Sequence, residues 1–96
     1  MRRLTALSLP AAVEAVRLRV VGLLREEYPD EDVRLEPFAC GRPHVFLCRV
    51  QGRPVGPPVN LEDAVGAGMR HGRDVAVRSL TDTLSQRIML HLQTAE

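Results

Sequence analysis

Cys40, His44 and Cys48 stand at four-residue intervals, and they are residue types from which zinc sites and thiol nucleophiles are built. On a helix, four-residue steps would gather all three on one face. Here they run from the turn Cys40-Gly41-Arg42-Pro43 along His44 to Gln51, a near-continuous apolar run that reads as a strand. At about 3.3 Å per strand residue, Cys40 and Cys48 lie roughly 26 Å apart, too far to share a metal ion or form a disulfide. Cys48 then fills core space, and Cys40 is a thiol at a loop tip. A Cys40 nucleophile with His44 as base, its thiol acidified by Arg42, is the one enzymatic reading. It lacks a third residue to orient His44 and shelter from water. No metal and no cofactor is expected.

Gly66-Ala67-Gly68 with Gly72 resembles a phosphate-cradling loop, but the last gap is one residue longer than in the dinucleotide fingerprint. Leu61 to Val65, just before it, already reads as helix, so close helix packing explains these glycines better. His71 and His91 fall near helix C-termini, where the dipole favours an imidazolium. The acidic group Glu26, Glu27, Asp30, Glu31 and Asp32 crosses a helix end and a turn, the usual place for solvated carboxylates.

A more specific grouping comes from strand pairing. Asp32 to Ala39 alternates, and a two-residue type II′ turn at Gly41-Arg42 pairs it with His44 to Gln51 so that partner numbers sum to 83. Val33, Leu35 and Pro37 then share a buried face with Val50, Cys48 and Phe46. A slip of one residue would bury Arg or Glu. The other face carries Arg34, Phe38, Val45, Leu47 and Arg49, joined by Arg78 from a third strand over Asp74 to Leu80. A half-apolar face bearing several guanidinium groups suits single-stranded RNA, an acidic protein partner or a second subunit. With Phe38 its one aromatic, it is a poor stacking platform for several bases.

The elements that must position these residues divide at Pro and Gly clusters. Leu9 to Glu27 reads as a helix capped by Ser8, with Val13, Val16, Val20, Leu23 and Leu24 on one stripe. Its opposite side carries Ala11, Ala15, Leu18 and Gly22, apolar where a surface helix would be polar. After the hairpin come a tight turn at Gln51-Gly52-Arg53, an edge segment Pro54 to Val59 too rich in proline for a central strand, and a helix from Asn60 to Gly72. The short strand and a last helix over Thr81 to Thr94 complete the order α-β-β-(β)-α-β-α. The last helix has Leu84, Ile88 and Leu92 inward, with Met89 and Leu90 off that stripe. The expected fold is α+β, a small antiparallel or mixed sheet with helices mainly on one face. Its α-β-β-α-β portion is similar in order to KH-type RNA-binding domains. Their Gly-x-x-Gly loop is missing, since Gly52 and Gly56, and likewise Gly68 and Gly72, are one residue too far apart.

At 96 residues the chain is expected to be a single domain, which excludes enzymes that need two lobes or a large barrel. A content of 45% hydrophobic and 26% charged residues excludes a disordered tail, and no apolar run is long enough to span a membrane. The net charge of +1 marks no general affinity for nucleic acid. All 13 cations are Arg, a composition that reflects a GC-rich bacterial genome more than function. Met1 to Pro10 is too short and too soon interrupted by charge for an export signal, so a cytoplasmic protein with reduced thiols is expected.

Taken together, the surplus of apolar helix surface favours a non-enzymatic interaction module. It would self-associate as a homodimer through Ala11, Ala15, Leu18, Gly22, Met89 and Leu90. Nucleic-acid binding through Arg34, Phe38, Leu47, Arg49 and Arg78 is the alternative, and the Cys40–His44 enzyme comes third.

Overall fold

The computed structural model describes residues 8–39 and 41–94 of the 96. The order is α1 (Leu9–Glu27), β1 (Val33–Pro37), β2 (Val45–Val50), β3 (Arg53–Pro54), β4 (Val59–Asn60), α2 (Leu61–His71) and α3 (Arg73–Thr94). This is an α+β fold in which three helices pack against one face of a small antiparallel sheet.

Helix α1 begins where the Ser8 hydroxyl accepts the Ala11 N–H at 3.3 Å, with Pro10 in the first turn, where its missing N–H costs nothing. It ends with the Tyr28 N–H bonded to Leu24 O, just before Pro29. Val13, Val16, Val20, Val21 and Leu24 are buried. These side chains meet Val33, Leu35, Phe46, Cys48 and Val50 from the sheet, and Leu61, Val77, Leu84 and Ile88 from the other helices.

Strands β1 and β2 pair in the expected register, with Val33 opposite Val50, Leu35 opposite Cys48 and Pro37 opposite Phe46. The ladder continues as far as the Phe38 N–H, which donates to Val45 O at 2.9 Å; the turn expected at Gly41-Arg42 is closed by Cys40, which lies outside the described residues. Pro43 has no N–H for the ladder, and His44 takes a φ of 68°, which breaks the extended chain. Pro37, at the strand end, is exposed rather than buried. The second turn is tight: Gln51 and Gly52 both have positive φ, 55° and 79°, as a type I′ turn requires.

Two short pieces share the far edge of β2. Strand β3 pairs with Arg49 and Val50, and β4 pairs with Val45 and Phe46. Between them Val55 is buried and donates its N–H to Cys48 O. Among the described residues, strand β1 forms the opposite edge of the sheet and pairs only with β2.

Asn60 caps α2 by accepting the Glu62 N–H at 2.9 Å. Gly72, with φ 99°, ends it and is the single residue between α2 and α3. Here the structure corrects the expected strand over Asp74 to Leu80: these residues form the first turns of α3. Ala76, Val77, Thr81, Leu84, Ser85 and Ile88 are buried, a helical spacing that includes adjacent residues no strand could bury on one face. The element order is thus α-β-β-β-β-α-α, without the closing strand of a KH-type order. Helices α2 and α3 meet at Gly68, where an added Cβ would stand 3.4 Å from Arg73 Cα and 3.8 Å from Ala76 Cβ, ordinary contact that alanine could also make.

Candidate functional site

Helix α1 presents two unlike sides. Opposite the buried valines, Leu18 is 57% exposed and Ala11 and Gly22 are exposed with it, while Ala15 is half-buried. A Cβ added at Gly22 would meet nothing within 4 Å, so this side is open. Helix α3 packs elsewhere on α1. The Tyr28 hydroxyl lies 3.2 Å from both Ser85 O and Ser85 Oγ, and Ser85 Oγ donates to Glu27 Oε2 at 2.9 Å. Within the chain, α3 therefore leaves Leu18 uncovered. Met89 and Leu90 on α3 are also exposed, at 46% and 61%.

The second sheet face is assembled only in part. Arg34 lies opposite Arg49, but each is bonded within its own neighbourhood. Arg34 Nε donates to Asp32 Oδ1 at 3.0 Å, and that bond raises the pKa of the exposed guanidinium further. Arg49 Nε stands 3.1 Å from Glu36 Oε1, and its Nη1 donates to Gly52 O at 2.9 Å. Phe38 is 38% exposed and borders a shallow depression with Arg42, Val45, Pro58 and Asn60. Leu47 is buried, although it stands outside the main core cluster, and so offers little surface to a ligand. Arg78 is not on the sheet at all. It lies on α3 beside Asp74, Val75, Ser79 and Asp82, displaced from the expected group because its strand is a helix.

Cys40 lies outside the described residues. His44 is half-buried in a left-handed turn. Cys48 is a buried free thiol whose pKa is pushed up to about 11 by burial, with Arg87 pulling weakly the other way. Such a thiol is a poor nucleophile at neutral pH. Among the described residues, no group of three His, Cys, Asp or Glu side chains could hold a metal ion, and no helix is long and apolar enough to cross a membrane.

One feature escaped the sequence reading. A groove of about 470 Å³ separates α1 from the edge of β1, lined by Glu14, Arg17, Val21 and Arg25 on the helix side and by Arg34 to Pro37 on the strand. Glu14 and Arg17 are joined by two hydrogen bonds, which lower the carboxyl pKa. Arg25 Nε donates to Val33 O at 3.0 Å. Pro37 could have signalled an edge strand, whereas nothing in the sequence marks the reach of Arg25 across to Val33.

Comparison with protein families, with curated proteins and with solved structures found no match.

Proposed function

We propose that this chain is a small non-enzymatic interaction module that self-associates through the outer face of α1. The supporting observation is the open helix side at Leu18, flanked by Ala11 and Gly22. Small residues on either side of an exposed leucine let a second helix approach closely enough to bury it. Two copies of α1 crossing about a two-fold axis would each cover the other, as an isologous contact requires. Met89 and Leu90 add apolar area to the same association. The cost of leaving such side chains in water is removed by contact, not by chemistry.

Nucleic-acid binding through Arg34 and Arg49 is the weaker reading. Both guanidinium groups already serve carboxylates or a carbonyl on their own chain, and Arg78 is on another element. Replacing Leu18 by Arg tests the self-association, because the new charge would have to be desolvated at a closed helix contact. Weakened association with unchanged helical content supports the proposal; undiminished association contradicts it.

A further inference from the structure

Helices α1 and α2 do not close on one another along their whole length. Leu61, at the start of α2, is fully buried, and Ala64, Val65 and Gly68 follow it on the same side at helical spacing. These residues are small where α1 offers only Ala12 and Val16 in return, so a cleft of about 250 Å³ stays open between the two helices. Ala12, Ala64, Val65 and Gly68 are half-buried rather than closed, and Met69, 85% exposed, stands at the rim. Solvent therefore reaches the cleft. Its lining ends at Arg73, the first residue of α3, which is exposed and whose backbone lies against Gly68.

We propose that this cleft binds a small aliphatic monocarboxylate, its chain along the apolar wall and its carboxylate on the Arg73 guanidinium. Arg73 makes no ion pair among the described residues, and no carboxylate lines the cleft. A guanidinium at the mouth of an otherwise apolar cleft selects an anionic head on an apolar tail. The larger groove beside β1 lacks this asymmetry, because Glu14 and Glu36 line it together with the arginines and Glu14 already holds Arg17. The volume sets the length of the chain. It falls just under the usual range for ligand pockets of about 300–1,000 Å³, so a chain of about four to eight carbons fits where a long-chain lipid does not. Met69, unbranched and free in solvent, can fold over a bound chain and adapt to its length.

This site goes beyond the self-association proposed for α1 and does not depend on it. The test is a titration of the full chain with butanoate, hexanoate, octanoate and 1-hexanol, followed by NMR at the Gly68 amide and the Met69 methyl. Both signals are expected to shift saturably with hexanoate, and each added CH2 that enters the cleft should tighten binding roughly twofold to fourfold. Hexanol fills the cleft without a charge and should bind roughly fivefold less tightly. Arg73→Met, on the exposed first turn of α3, should weaken hexanoate by the same roughly fivefold and leave hexanol unchanged. Ala64→Leu fills the cleft and should remove both ligands, with thermal unfolding as the check that the variant is folded. No saturable shift with any of the carboxylates overturns the proposal. Equal affinities for hexanoate and hexanol, or an Arg73→Met variant that binds hexanoate as tightly as its parent, overturn it as well. Hexanoate binding that is lost as protein concentration rises assigns the cleft to contact with a second copy, and overturns it too.

Discussion

Arg25, near the end of α1, reaches across to the first residue of β1 and donates its Nε–H to Val33 O at 3.0 Å. This bond ties the helix to the sheet edge and satisfies a carbonyl that pairing with β2 leaves outward. Arg25→Met keeps much of the apolar stem and removes the donor. The bond is part-buried and Val33 is closed to solvent, so the expected loss is about 1 kcal/mol or more in urea unfolding. An unchanged unfolding midpoint would show that the bond contributes nothing to stability.

Thr81 is buried in α3, and its hydroxyl has no hydrogen-bond partner among the described residues. Valine has nearly the same shape without the unsatisfied oxygen. Thr81→Val is therefore expected to stabilise the protein by about 1 kcal/mol, the scale of burying a hydroxyl without compensation. Thermal unfolding measures this directly, and a lower melting temperature for the variant would contradict it.

The hairpin was legible because two independent constraints agreed. An odd sum of partner numbers is needed to place Val33, Leu35, Phe46, Cys48 and Val50 on one side, the position of the Gly-Pro break selects 83 among the odd sums, and the structure has that register. Helix α1 was legible for a similar reason, with its cap, its proline and its valine stripe all consistent. The stretch from Asp74 to Leu80 was misread because Val75 and Val77 alternate over too short a window. Val75 is exposed, while Ala76 and Val77 are buried side by side, and their spacing to Thr81, Leu84 and Ile88 belongs to one long helix. Arg78 was lost from the candidate face with that strand. The burial of Leu47 and the bonds of Arg34 and Arg49 depend on neighbours that no periodicity reveals.

Cys48 makes stability depend on alkaline pH. Its pKa is raised in the folded protein to about 11 from an ordinary value of 9.0, so the folded state holds the proton after the unfolded chain has lost it. The resulting stabilisation is complete below the unfolded pKa and is lost as pH rises from about 9 to about 11. Urea unfolding across that range should show stability falling in the wild type and falling less in Cys48→Ala. Equal slopes in the two proteins would contradict the assignment. Native protein at pH 8 should also shield this thiol from alkylating reagents until it is unfolded.

The self-association proposed for α1 is tested most directly by sedimentation velocity on the wild type and Leu18→Arg over a wide concentration range. Leu18 is 57% exposed, so the substitution is expected to leave the fold of the single chain intact, with circular dichroism as the check. The account predicts that the wild type associates as concentration rises, and that Leu18→Arg weakens this at least tenfold, the effect of roughly 1.4 kcal/mol or more from an unpaired charge at a closed contact. A wild-type protein that stays monomeric throughout, or a variant that associates as tightly as its parent, would contradict it.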